Sequence, residues 1–242
     1  MTSAILGLPT PAGPADAEVV ARLRHLIRAR GPLPDELGLP ADPDSLVAAL
    51  TAVAEDARAR HREQGLDEEV SLATLADVGR KHALYGAASV LPWILGILRA
   101  DVVQLGRLQV ERRRGPHGHA LHIPETGPLA PGAVDASLAR ARELTGAVDF
   151  SCESWLLDPR LRDGLPATNI AAFAARFELI EGPEPSAEAS EDAAKFVFRR
   201  PLRDVRAPGV VTPQTRLERL VATQLRSGDW TAPTGVLGMP PA

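Results

Sequence analysis

The sequence has little of two things that would assign it to a class at once: cysteine and an excess of positive charge. It contains one cysteine among 242 residues, so an internal disulfide is impossible and the fold does not depend on an oxidising compartment. The formal net charge of -4 argues against a nucleic-acid partner, because contacts to phosphates need a concentrated positive surface.

Long apolar runs are missing as well. The stretch LPWILGIL is closed by Arg99 and Asp101, well short of the roughly 18 residues that a membrane span requires. The N-terminal MTSAILGLPTPAG has neither the basic region nor the apolar core of a secretory signal. We therefore expect a soluble, cytoplasmic protein without a membrane partner.

What is present is a globular composition in two differently patterned parts. Hydrophobic residues make up 45% and charged residues 24% of the chain, which suits a protein with a buried core. Up to about residue 100, apolar residues recur at helical spacing, and Asp16 and Asp42 are typical helix caps. From Asp101 the period changes to that of strands. The pattern predicts an α+β protein with a helical domain over 1–100 and a second domain over 101–242.

The segment 105–157 is the centre of the second domain. Its predicted elements are, in order, a strand over 105–114, a turn at GPHGH, a strand over 120–123, a helix from Pro131 to Gly146 and a strand over 148–157. Beyond it we predict an acidic loop over 182–193, a short strand over 195–200, a helix starting at Thr212 and an irregular tail after Trp230.

Alternation along the strands assigns their polar residues to faces. His122 should point away from its two apolar neighbours, towards a cleft or solvent. Cys152 should share a face with Phe150, while Glu153 points the other way. Cys152 and Glu153 therefore cannot line one site unless a bulge re-aims one of them.

Three of these residues have the chemistry of an active site. His122 suits a general base that takes a proton from an attacking amine; the alternative is a structural histidine bonded to the following loop. Glu125 could share the base role, or it could favour the helix entry through the dipole. Cys152 could be a nucleophile activated by His122, although a lone cysteine between apolar neighbours is more often a small buried hydrophobe.

The succession LGRLQVERR, LHIPETGPLAPGAVDASLARAR, FSCESWLLDPRL, TNIAAFAARFEL and KFVFRR resembles the GNAT-like acyltransferase family, in which a helical N-terminal domain precedes a GNAT-like C-terminal domain. The resemblance implies a mixed, mainly antiparallel sheet flanked by helices. It also implies transfer of an acyl group from a coenzyme A thioester, or from an acyl carrier protein, to an amine or hydroxyl of a small molecule. It implies no metal.

In such enzymes a strand, loop and helix hold the pyrophosphate of coenzyme A with backbone N–H groups. The segment 121–144 has this form. The implied donors are the N–H groups of Thr126, Gly127, Leu129, Gly132 and Ala133. The guanidinium of Arg112 could be a further phosphate contact, the alternative being an exposed arginine at a strand end that serves solubility. The usual Gly-x-Gly signature is absent and three prolines remove donors, so a carrier-protein donor and a non-catalytic binding module stay open.

The family also implies a proton donor for the departing thiolate and groups that bind the acceptor. The sole tyrosine, Tyr85, lies in the helical part, so Ser151, Cys152 or Ser154 would have to be the proton donor. The acceptor-binding candidates are Glu153, Trp155, Asn169 and Arg176. Packing is the alternative for Trp155 and a salt bridge between strands is the alternative for Arg176. A last alternative is a cysteine-dependent acyl transferase or thioesterase acting through Cys152.

Overall fold

A computed structural model describes residues 5–40, 42–180, 182 and 184–237. Its contacts divide the chain into two compact units, Met1–Arg113 and Arg114–Ala242. The helices in the described ranges are all too short or too polar to cross a membrane.

The first unit is helical. Its helices are α1 Ala17–Arg28, α2 Pro43–Ala52, α3 Ala54–Glu63, α4 Glu68–Leu75, α5 Asp77–Tyr85 and α6 Leu91–Leu98. Two predicted caps are confirmed, because the Asp16 carboxylate accepts from the Glu18 and Val19 N–H groups and the Asp42 carboxylate accepts from that of Ser45. Apolar stripes of these helices form one buried core, which includes Leu23, Leu26, Leu46, Leu50, Ile94 and Leu95.

A β-hairpin follows the helices. Its strands are β1 Val102–Leu105 and β2 Leu108–Gly115, which are antiparallel with Leu105 opposite Leu108. The predicted single strand from 105 is wrong in this detail. Gly106 adopts a φ of 74°, which a tight hairpin turn needs and glycine reaches without strain.

The second unit combines strands with helices. Its strands are β3 Gly118–His122, β4 Phe150–Glu153, β5 Phe177–Leu179, β6 Pro185–Ser186, β7 Trp230–Thr231 and β8 Thr234–Leu237. Its helices are α7 Pro131–Thr145, α8 Pro159–Gly164, α9 Asn169–Ala174, α10 Ala187–Phe198, α11 Leu202–Arg206 and α12 Arg216–Ser227. As predicted, α7 begins at Pro131 and ends at Gly146, which is left-handed with a φ of 68°.

Six strands form a mixed sheet in the order β1-β2-β3-β4-β8-β5. The pair β3–β4 is parallel, whereas β1–β2, β4–β8 and β5–β8 are antiparallel. The predicted fold class is therefore confirmed: α+β, with a mainly antiparallel sheet and flanking helices.

Three predictions near the C-terminus are wrong. The strand predicted over 195–200 is the last turn of α10, which also takes in most of the predicted acidic loop because Ser186 caps it by accepting from the Ala189 N–H. Pro183 of that loop lies outside the described residues. As far as Leu237 the tail after Trp230 is not irregular, since β8 pairs with β4 on one side and with β5 on the other; residues 238–242 lie outside the described residues.

Gly235 of β8 is expected to be intolerant of a side chain. A Cβ there would lie 2.7 Å from the Phe177 Cβ and 3.1 Å from a Leu157 methyl group. Gly235→Ala should therefore lower the free energy of unfolding by about 1–3 kcal/mol through overpacking. Urea denaturation measures this loss. The control is Gly13→Ala, whose Cβ would meet nothing within 4 Å. Equal midpoints for Gly235→Ala and the parent would contradict the packing of β8.

Candidate functional site

The parallel pairing of β3 and β4 is short. It joins His119 to Phe150 and Ala120 to Ser151, while β3 continues to His122 and β4 to Glu153. β4 stays paired with β8 as far as Glu153 and Thr234. The two parallel strands therefore separate after Ala120 and Ser151. Ligands of α/β proteins bind characteristically at the carboxyl ends of parallel strands.

Glycine and proline explain where the two strands meet and where they part. Gly118 has a φ of 98°, and a Cβ there would lie 2.4 Å from the Asp149 carbonyl oxygen, so only glycine allows the close approach at the start of the pair. Pro124 follows β3 by two residues and has no N–H to continue a ladder. The segment after His122 is therefore released from the sheet.

The register assigns the candidate residues to two faces. His119, Phe150 and Cys152 share the buried face. Ala120, His122, Ser151 and Glu153 share the other, partly exposed face. His122 and Cys152 therefore point in opposite directions, so the prediction that His122 activates Cys152 is wrong.

Cys152 has the environment of a core residue. Its side chain is 1% exposed, and burial, with a smaller contribution from the Glu153 carboxylate, raises the pKa of the thiol to about 12. The group is therefore a protonated thiol at neutral pH, and a thiolate is needed for nucleophilic attack. The structure supports the alternative of a small buried hydrophobe and opposes the nucleophile and thioesterase hypotheses.

The loop 123–130 leads from β3 into α7. The Thr126 N–H donates to the Pro124 carbonyl at 2.8 Å, and the Ala133 N–H donates to the Ala130 carbonyl at 3.0 Å. These two predicted donors are therefore already used within the chain. Gly127 and Gly132 have open space where a Cβ would lie, and Ala130 makes no side-chain cap bond. The N–H groups of Gly127, Leu129 and Gly132 stay predicted donors.

Glu125 forms an ion pair with Arg199, the residue that ends α10. Its side chain is 21% exposed. Because this carboxylate is held by a guanidinium, His122 is the stronger candidate for a general base. The Glu125 base role stays a prediction without support from the geometry.

Arg176 is part of a salt bridge, as the alternative reading predicts. Its guanidinium donates to Asp135 at 2.5 Å and to the Pro131 carbonyl at 3.4 Å, and the hydrogen bond from Arg176 lowers the pKa of the Asp135 carboxyl. The partner lies on a helix instead of a strand. The salt bridge ties the first turns of α7 to the residue that precedes β5.

The remaining acceptor candidates differ in environment. Trp155 is buried and packs 6.4 Å from both the Phe196 and the Trp230 rings, so its predicted packing role is the one supported. Asn169 is exposed at the first position of α9, and Glu153 is exposed at the end of β4.

Ser154 and Arg112 each make a hydrogen bond within the chain. The Ser154 hydroxyl accepts from the Leu156 N–H at 3.1 Å and so caps the short 3₁₀ turn Trp155–Leu157. Arg112 lies in the first unit, where it donates to the Gln64 side chain at 3.3 Å, and burial lowers the pKa of its guanidinium. The predicted catalytic role of Ser154 and phosphate contact of Arg112 stay predictions.

A buried polar network behind β4 was missed from the sequence. Asp158 is 1% exposed and accepts from the Thr231 hydroxyl at 2.6 Å and from the Arg160 Nε at 2.8 Å. Burial raises the pKa of the Asp158 carboxyl, but the hydrogen bonds from Arg160 and Thr231 outweigh it and hold that pKa below its usual value. This network fixes β7, and so the start of β8, against the turn after β4.

A metal centre finds no support in the part of the chain that the structure describes. Groups of three or more His, Cys, Asp or Glu side chains that could hold a metal ion are absent from these residues.

Comparison with protein families matches both parts of the chain. Residues 7–89 match an N-acyltransferase N-terminal domain, and residues 102–237 match a GNAT-like C-terminal domain. Curated proteins, compared in the same way, give no match.

Solved structures give close matches. A crystal structure of an acyltransferase in complex with decanoyl-CoA and teicoplanin is 32% identical, with a TM-score of 0.72 over 91% of this chain and 75% of that chain. A mutant acyltransferase in complex with octanoyl-CoA gives the same values. A further acyltransferase in complex with decanoyl-CoA is 26% identical, with a TM-score of 0.76 over 98% of this chain and 86% of that chain.

The burial of Cys152 predicts an unreactive thiol. In the folded protein at pH 8, iodoacetamide should add nothing to the intact mass over a time in which the urea-unfolded chain is fully alkylated. The reason is that a thiol with a pKa of about 12 supplies almost no thiolate. Cys152→Ala should keep its acyl-transfer activity. Native alkylation at the rate of a free thiol, or an acyl adduct after mixing with a thioester, would contradict this.

Proposed function

Because the chain belongs to the acyltransferases that join an N-acyltransferase N-terminal domain to a GNAT-like C-terminal domain, we propose that it acylates an amine of a small molecule where β3 and β4 part. The acyl donor is a coenzyme A thioester. The observation that carries the location is the short parallel register of these strands, followed after the loop 123–130 by a helix whose first turn has no side-chain cap.

The donor would be held mainly by backbone groups. Coenzyme A carries a pyrophosphate and an arm with two amide groups. The N–H groups of Gly127, Leu129 and Gly132 are available to the pyrophosphate, and the N-terminus of α7, a helix of 15 residues, contributes about 0.3–1 kcal/mol to anion binding. After Ser151, β4 is no longer paired with β3. The peptide groups on that edge of β4 would form hydrogen bonds with the amides of the arm.

His122 is the proposed general base. It is half-buried at the last position of β3 and lies on the sheet face of Glu153. His122 would take a proton from the acceptor amine as the nitrogen attacks the thioester carbonyl carbon. The carbon–sulfur bond then breaks, and the departing thiolate takes up the proton that His122 removed from the amine. Backbone N–H groups near the parted strands would stabilise the negative oxygen formed in between.

The acceptor side is proposed from what remains on that face. The exposed Glu153 carboxylate suits an acceptor that arrives as an ammonium ion, and Asn169 remains as a possible polar contact. Since related acyltransferases bind octanoyl-CoA, decanoyl-CoA and teicoplanin, we propose medium-chain acyl groups for this enzyme. We also propose the cytoplasm as its compartment, because the fold contains no disulfide that would need oxidising conditions.

Ligand binding to the folded chain tests the donor. A ligand at one hundred times its dissociation constant stabilises the folded state by about 2.7 kcal/mol. The melting temperature should therefore rise by several degrees with coenzyme A, acetyl-CoA, octanoyl-CoA and decanoyl-CoA, most with the longer acyl groups. ATP is the control anion. Melting temperatures that stay constant with coenzyme A and with all three acyl donors would contradict donor binding.

His122→Gln should separate catalysis from donor binding. Loss of a general base costs about 10²–10⁴-fold in rate, so kcat should fall by at least about 100-fold, while the dissociation constant of coenzyme A from calorimetry stays within about twofold. His117→Gln is the matched control, because His117 is an exposed histidine in the turn before β3. Unchanged kcat in His122→Gln would remove His122 from the mechanism.

A further inference from the structure

Arg199 occupies a backbone position where arginine is unusual. It ends α10 in the left-handed region, with a φ of 55° and a ψ of 35°. Glycine is the common residue at this point of a helix because it has no Cβ to clash. A non-glycine residue here accepts steric strain, so the side chain of Arg199 is expected to supply a compensating interaction.

That interaction is the ion pair with Glu125. Glu125 belongs to the loop 123–130, which we propose as the holder of the donor pyrophosphate. Within this loop the Thr126 N–H already donates to the Pro124 carbonyl, and Gly127 follows with a φ of 119°. The direction of the remaining N–H groups therefore depends on how the Glu125 end of the loop is held.

The helix that carries Arg199 is anchored on the other side of the parted strands. Phe196 lies three residues before Arg199, on the same side of α10, and its ring stacks on Trp155 at 6.4 Å with an interplanar angle of 12°. Trp155 lies two residues after the end of β4, and its carbonyl accepts from the Trp230 Nε1 at 3.1 Å. The last turn of α10 thus connects the loop after β3 to the turn after β4.

We propose that Arg199 is a positioning residue of the donor site, which acts through Glu125 to hold the loop 123–130 in the conformation that receives the phosphates of coenzyme A. The inference rests on the proposed function, because it takes that loop as the donor holder. Arg199 would raise affinity for the donor without contacting the reacting atoms. Such an effect appears in the dissociation constant and KM of the donor and leaves kcat nearly unchanged.

Charge exchange between the two residues tests the proposal. The variants are Glu125→Arg, Arg199→Glu and the double variant that carries both changes. The probe is coenzyme A itself, titrated by calorimetry into the full chain, with donor KM and kcat measured alongside. Glu125→Gln and Arg199→Gln provide milder changes in case a reversed charge prevents folding.

Each single reversal places like charges opposite each other, so we expect it to weaken coenzyme A binding by about fivefold or more, and we expect the double variant to return within about twofold of the parent. The kcat of the Arg199 variants should stay within about twofold. The difference between single and double variants should shrink at about 500 mM salt, because the pair is solvent-accessible.

Arg200→Glu is the matched control for net charge. Arg200 is the exposed neighbour of Arg199, and its reversal changes the charge by the same amount, so it should leave binding within about twofold of the parent. Glu125→Arg separates positioning from simple charge attraction. It adds positive charge near an anionic ligand, which by attraction alone would strengthen binding, whereas loss of positioning weakens it.

The possible failures are distinguishable. A parent chain that binds no coenzyme A would contradict the proposed function itself. If the parent binds coenzyme A but the single variants bind equally well, the positioning role is wrong and the proposed function stands. Weak binding by Arg199→Glu without recovery in the double variant would also overturn the proposal, because it would indicate direct contact of Arg199 with the ligand.

Discussion

The parallel register of β3 and β4 is the constraint on which the candidate site depends. The strands share two residue pairs, after which β4 remains bound to β8 while β3 ends before a proline. Because side chains alternate along a strand, this one register decides every orientation at the site. It sends His122 to the partly exposed face and Cys152 to the core, so chemistry that needs both groups together is impossible.

The surroundings of the parted strands are held by interactions that the strands themselves do not make. Arg176 fastens the first turns of α7, and the buried Asp158 network fixes β7 beside the turn that follows β4. Helix α10 meets that same turn through Phe196 and the loop after β3 through Arg199. A loop rich in proline and glycine is thereby held by side chains outside it, which suits a segment whose own task is to present backbone groups to a ligand.

Much of the second unit could be predicted because its signals are local. Pro131 and Gly146 bound α7 as expected, since proline suits a first helical turn and glycine a left-handed end. Strand β8 gave no such signal. Its four residues TGVL stand between Pro233 and Gly238, and only the pairing with β4 and β5 makes them a strand. In KFVFRR the spacing of Phe196 and Phe198 imitates a strand, although the helix begun at the Ser186 cap extends through both.

The sequence by itself determined the family, the mixed helical and strand-bearing character of the chain, the bounds of α7 and the candidacy of His122, because each depends on residue types and spacing within a short segment. The tertiary structure alone decided that Cys152 is a buried thiol and that Glu125 and Arg176 are held in ion pairs. The physical reason is that burial, register and ion pairing are set by partners far away in the chain, such as Gly235 opposite Cys152 and Arg199 beside Glu125.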